Sequence, residues 1–390
     1  MTAIFNGIDV LLADPQRYLR QRPFALVTGS AVIDASGDPV WRALKRCAGA
    51  QLRALWSLQH GFCVDQQDNM RFASGSAPAG LGLEVRELYQ RELLPSAEHL
   101  NGIELLVVDV FDVGCRVYTF LNHMVQVLQF LAATRPDIEV LVLDRPNPLG
   151  GDVCEGNLCV PEYFSIVGMA PVPMRHGLTA AEYLGFAASY HRLPVELENV
   201  ACRGWQRQDL FSGHWTYPSP NMPALQTAFV YPGAVLLEGT TLSEGRGTTR
   251  PFEMFGAPYL DHLRLADELN GLSLEGVRFI PLFFKPEFGK YAGEVCRSVL
   301  VQIVDRERFR SFCAYYEAIR LVNRLHPNAF GWQRPPYEFE TRRPPLDMIA
   351  GSDWVRRAIE ADIPFAELQD AIAEEIARFR EASESRRLYP

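Results

Sequence analysis

The chain reads as an α/β protein, a Rossmann-like, doubly wound, mostly parallel sheet followed by a second, smaller α+β domain. Three observations lead there. Near-continuous apolar runs at 24–29, 52–57, 103–108 and 138–143 have the texture of parallel strands buried on both faces. Helical stretches at 40–48 and 118–133 alternate with them, which is the βαβ rhythm. From about Gly276 the pattern changes to two strand-like runs and then several helices in succession.

In order along the chain, each apolar run hands over to a polar segment. Gln59-His60-Gly61 follows the second run, Asp109 to Arg116 the third, and Asp144-Arg145-Pro146-Asn147-Pro148 the fourth. In open α/β sheets the ligand crevice lies outside the carboxyl ends of the strands, so these segments should border one cleft. Thr179 with Glu182 three residues on has the form of a capping box opening a helix to about Tyr190. Arg175 and His176 would stand at its entrance.

The stretch 215–256 then reads as loop, buried strand, loop. Pro218-Ser219-Pro220-Asn221-Met222-Pro223 precedes an apolar run at 228–237, taken as the strand. In the second loop Glu238, Glu244 and Glu253 alternate with Arg246 and Arg250 among glycines. Guanidinium forks beside carboxylates hold planar anions or sugar hydroxyls, and the loop is read as part of a site; the alternative is an ion-pair knot that ties two domains together. Beyond it lie strand-like runs at 277–284 and 298–304, and helical stretches around 307–324, 352–361 and 365–380. A Pro-rich segment, 334–345, separates the last helices. The expected division is 1–255 for the Rossmann-like domain carrying most of the site and 256–390 for the smaller domain closing the cleft.

Composition narrows the function classes. At 390 residues, 48% hydrophobic and 22% charged, the chain can bury a large core. A net charge of −9 without a basic run argues against nucleic acid or an anionic membrane as partner and favours a small substrate. Neither a signal peptide nor a run of about 20 apolar residues is visible, so a soluble, cytoplasmic protein is expected. The eight cysteines are scattered without a CxxC pair and read as free thiols of a reducing compartment. There is no Walker loop, HExxH, GxSxG or dinucleotide fingerprint. Asp109, Asp112, Asp144, His60 and His176 are legitimate metal-ligand types without diagnostic spacing, so neither metal nor cofactor is implied. The oligomeric state stays open.

Glycoside hydrolysis requires an acid at the leaving oxygen and a second group that stabilises or attacks the developing oxocarbenium ion. Glu155, Glu238 and Glu244 lie near Gly-rich loops, and Trp205, Trp215 and Tyr217 could stack on a pyranose. These residues alone give a cleft enzyme of unknown substrate.

Several motifs in order, Gly7 to Leu12, Asp109 to Gly114, Asp144 to Pro148, Arg175-His176-Gly177, Pro218 to Pro223, Glu238 to Glu253 and Lys290 to Gly293, resemble the bacterial exo-β-N-acetylmuramidases almost end to end. The resemblance implies release of N-acetylmuramic acid from the non-reducing end of peptidoglycan fragments, as in cell wall recycling. Arg175, Arg246 or Arg250 would meet the lactyl carboxylate, and Asp109, Asp112, Asp144, Asn147, His176 and Asn221 would help to line the site. It also exposes a departure: the family pattern reads Pro-Glu-His-Gly with the glutamate as proposed acid, whereas this chain has Leu58-Gln59-His60-Gly61. Glutamine cannot deliver a proton, so Gln59 is left a binding role and Glu155, Glu238, Glu244 or His60 the catalytic one. The following segment 65–70 is amide-rich as well. Two alternatives remain, an amino-sugar-binding pseudoenzyme and a metal-assisted hydrolase using Asp109, Asp144 and His176.

Overall fold

The structure is a computed structural model that describes residues 4–67, 82–89 and 94–390. Of the amide-rich stretch, Asp68, Asn69 and Met70 lie outside the described residues.

Six parallel strands form the first sheet: β1 (Phe24–Val27), β2 (Leu52–Ser57), β3 (Glu84–Glu87), β4 (Leu105–Val108), β5 (Glu139–Leu143) and, after the small hairpin β6 (Glu155–Leu158) and β7 (Pro173–Arg175), β8 (Leu197–Val200). Their order is β3-β2-β1-β4-β5-β8, so the chain starts in the middle and winds outward both ways. Successive residues serve opposite faces. Phe24, Leu26, Leu105 and Val107 join one core cluster with α1 (Gly7–Ala13), α2 (Pro15–Leu19) and α3 (Val40–Ala48), while Ala25, Val27, Leu106 and Val108 join the other with α4 (Thr119–Thr134) and α5 (Ala180–Tyr190). Two buried faces explain why these strands are apolar throughout rather than alternating. The expected capping box is present: Thr179 Oγ1 accepts from the amide of Glu182, whose carboxylate accepts from the amide of Thr179.

The run 228–237 is not a strand. It forms helix α6 (Leu225–Ala234) and a 3-10 turn, Val235–Gly239. A ten-residue apolar run suits a helix buried all round as well as a buried strand, and tertiary contacts decide between them. Gly233 is the decisive contact, because a Cβ there would fall on the carbonyl of Ser311 at the start of α8 (Ser311–Leu325). The Gly233 amide donates to Ser311 Oγ at 2.9 Å, and that hydroxyl donates to the Val230 carbonyl at 2.5 Å.

The smaller part holds an antiparallel sheet of β9 (Met254–Ala257), β10 (Val277–Phe284) and β11 (Cys296–Ile303) in the order β10-β11-β9. Against and beyond it lie α7 (His262–Gly271), α8, α9 (Pro345–Ala350), α10 (Trp354–Glu360) and α11 (Gln369–Ser383). No helix among the described residues is long and apolar enough to cross a membrane.

Candidate functional site

One small cavity gathers the chemistry. Gln59 and His60, just after β2, face the entry of α4 at Tyr118 and Thr119. Ser219 and Asn221, Tyr231 of α6, and Glu238, Arg246 and Phe252 form further walls, and Tyr337 and Glu338 of the Pro-rich segment complete them. Its free volume is about 30 Å3.

Gln59 is buried, and its Oε1 accepts a hydrogen bond from the hydroxyl of Thr119, the first residue of α4. His60 adopts a left-handed backbone, φ 74°, and its ring Nδ1 lies 2.8 Å from the carbonyl of Gln66. A carbonyl only accepts, so that nitrogen carries the proton. Asn221 Nδ2 donates to Gln67 Oε1 at 2.8 Å. Glu238 is gripped on both oxygens: Arg246 Nη1 lies 2.7 Å from Oε1, and the Tyr337 hydroxyl donates to Oε2 at 2.8 Å. Arg246 also reaches Glu244 at 3.4 Å and lies over the Phe252 ring at 4.8 Å.

Glu244 sits behind this wall. Burial pushes its carboxyl up, but Lys290, 3.0 Å away, and Arg246 outweigh burial and leave it below its ordinary value. Lys290 also donates to the carbonyls of Leu237 and Leu242, each at 2.9 Å. The charged loop is therefore both things the sequence allowed, a wall of the cavity through Glu238 and Arg246 and an ion-pair knot through Glu244 and Lys290. Arg250 lies outside the cavity wall and pairs with Glu253 at 3.5 Å.

Most of the other sequence candidates are interior braces. Arg145 clasps Asp109 through Nε at 2.5 Å and Nη2 at 3.1 Å. Asp112 Oδ2 accepts from the Gly114 amide at 2.7 Å and lies 3.3 Å from His176 Nε2. Asp144 accepts from the Ala181 amide at 2.9 Å and from the Tyr389 hydroxyl at 2.5 Å, and burial pushes its carboxyl up to about 6. Asn147 bridges the Leu149 amide and the Leu178 carbonyl. Glu155 pairs with Arg175 at 2.8 Å and accepts from the Phe312 amide at the start of α8. Trp205 packs against Tyr389, Trp215 Nε1 donates to the Met222 carbonyl, and Tyr217 is exposed. Among the described residues no three His, Cys, Asp or Glu side chains are grouped to hold a metal ion.

Sequence reasoning passed over Tyr118, Tyr231, Tyr337 and Glu338. Burial pushes the Tyr118 hydroxyl well above its ordinary value, with the Ser219 side chain acting the other way. Glu338 adopts a left-handed backbone, φ 49°, and accepts from the Tyr89 hydroxyl at 2.6 Å. No motif in the sequence marked the Tyr337-Glu338 pair, because the left-handed backbone of Glu338 is visible only in the structure.

Comparison with known proteins agrees with this architecture. Family profiles described as the N-terminal and C-terminal parts of exo-β-N-acetylmuramidase NamZ match residues 24–226 and 229–389. The peptidoglycan β-N-acetylmuramidase NamZ of Bacillus subtilis (strain 168) is 35% identical over 358 residues, 91% of this chain and 84% of that protein. A crystal structure of a DUF1343 family protein from Bacteroides fragilis superposes with a TM-score of 0.88 at 28% identity, covering 99% of each chain. A second from the same organism, at 23% identity and a TM-score of 0.73 over 100% of this chain and 99% of its own, shares the fold. With both halves matched and a relative aligned over most of its length, this chain belongs to the NamZ family of exo-β-N-acetylmuramidases.

Proposed function

We propose that the chain is a glycoside hydrolase that releases N-acetylmuramic acid from the non-reducing ends of peptidoglycan fragments. The observation that carries this reading is the cavity in which Gln59, His60, Asn221, Glu238 and Arg246 meet Tyr337 and Glu338. Two carboxyl groups lining one cavity meet the basic need of glycoside hydrolysis. Glu238, an acceptor on both oxygens, suits stabilisation of the oxocarbenium ion. Glu338 is the second carboxyl group and the one we assign as proton donor. Glu155, sealed against Arg175, and Glu244, sealed against Lys290, are not at the wall. The same sorting leaves Arg246 for the lactyl carboxylate, because Arg175 is sealed with Glu155 and Arg250 lies outside.

A volume of about 30 Å3 is roughly a tenth of what small-molecule sites usually offer. Sugar entry therefore requires Tyr337 and Glu338 to part from the Glu238 wall. The proposed division into 1–255 and 256–390 would put Glu238 in the first part and Tyr337 and Glu338 in the second, around one cavity. A cytoplasmic place in cell wall recycling is supported by eight free cysteines. Gln59 favours a second reading, a saccharide-binding protein without turnover.

The test is hydrolysis of para-nitrophenyl β-N-acetylmuramide beside the N-acetylglucosaminide by wild type, Glu238→Gln and Glu338→Gln. Turnover of the muramide that falls in both variants is expected. Binding without turnover in wild type would establish the second reading, and wild-type rates in Glu338→Gln would remove it as the acid.

A further inference from the structure

A different cavity, of about 330 Å3, lies at the carboxyl ends of β1, β4 and β5. The strand order reverses between β1 and β4, and there the connecting loops part to opposite faces of the sheet. Its volume falls within the small-molecule range of roughly 300–1,000 Å3, whereas the cavity at Glu238 does not. Nothing in the proposed reaction uses it.

Its walls define a chemistry. Phe111, Trp205 and Phe211 supply apolar ring surface. Arg145 lines it too, with Nε and Nη2 committed to Asp109 and Nη2 also to the Ile33 carbonyl at 2.9 Å. Its Nη1 has no partner among the described residues, which leaves a donor for an acceptor oxygen. Asp109 offsets the charge of that guanidinium, while Asp34 and Asp112 add carboxylates to the wall. An anion would meet net negative surroundings, whereas a neutral ring with an apolar face, hydroxyl donors and an acceptor oxygen would be matched on each count. We propose that this cavity is a second carbohydrate site, taking a neutral saccharide ring stacked on the aromatic walls with an acceptor oxygen on Arg145 Nη1. The class follows from the walls; the choice of an acetamido sugar as probe rests on the proposed function.

Calorimetric titration with free N-acetylglucosamine and with N-acetylmuramic acid tests it, on wild type, Phe211→Ala, Ser212→Trp and Glu238→Gln, each first checked for a wild-type unfolding midpoint. Ser212 lines the cavity and is exposed, so a tryptophan there blocks it without entering the core. Saturable N-acetylglucosamine binding is expected. It should survive Glu238→Gln, weaken about tenfold in Phe211→Ala and disappear in Ser212→Trp, with the carboxylated sugar binding more weakly. Three results would overturn the proposal: no saturable binding in wild type, binding lost in Glu238→Gln but kept in Ser212→Trp, or tighter binding of the carboxylated sugar. Turnover is measured apart, so an inactive protein that still binds would count against the proposed function alone.

Discussion

At position 59 the difference between a binder and an acid is one terminal group. A glutamate there would face the Thr119 hydroxyl at the start of α4, where a helix N-terminus favours the carboxylate by roughly 0.3–1 kcal/mol and burial opposes it. With Glu338 as the proton donor, Gln59→Glu should leave kcat within about threefold of wild type, whereas a rise towards the roughly 10²–10⁴ that a positioned acid is worth would move proton transfer to position 59. Asp144 gives a second residue-scale test. Its folded value, about 6, lies above the ordinary value of about 4, so its protonation favours the fold and its contribution is lost as pH rises through that window. The gap is worth roughly 3 kcal/mol. Asp144→Asn should gain stability relative to wild type by about that amount between roughly pH 4 and pH 6, read from denaturant midpoints; a difference that stays flat with pH would refute it. At this scale Gln59, His60, Asn221, Glu238 and Arg246 were legible because each stands in a distinctive polar motif beside an apolar run. Tyr337 was not, because its bond to Glu238 spans 99 residues and depends on tertiary packing.

The elements that carry these residues obey local rules until a close contact overrides them. Strands β2 and β10 and helix α3 fall where the apolar runs and helical stretches placed them, because burial pattern and length agree there. Helix α6 failed that reading because its apolar run has no polar face to reveal a period of 3.6. The contact of α6 with α8 is testable at Gly233. Gly233→Ala should cost about 2–3 kcal/mol through overpacking against Ser311. Gly271→Ala, at the end of α7 with open space around it, should be neutral or stabilise by about 0.4–1 kcal/mol. Equal effects in denaturant unfolding would mean that helix propensity, not the close approach, governs α6. The start of α8 depends likewise on Glu155. Glu155→Ala leaves Arg175 buried and unpaired, at a cost of about 3–5 kcal/mol. Turnover per folded molecule should nevertheless stay near wild type, and its loss would return Glu155 to the candidate acids.

For the whole molecule the question is whether two matched halves are two folding units. The larger hydrophobic cluster runs without a break from Val27 and Trp56 of the parallel sheet, through Phe229 and Leu236, to Val299 of the antiparallel sheet, Phe312 and Ile319 of α8 and Phe379 of α11. A hinge through that core would expose apolar surface at about 25 cal/mol per Å2, so a few hundred Å2 would consume most of an ordinary stability. Two consequences follow. Access to the Glu238 cavity should come from local movement of the segment bearing Tyr337 and Glu338 rather than from separation of the halves. The protein should also unfold as one unit, with a single calorimetric transition whose calorimetric and van't Hoff enthalpies agree. Two resolved transitions, or a calorimetric enthalpy near twice the van't Hoff value, would show halves that fold independently and would make opening between them the route for substrate.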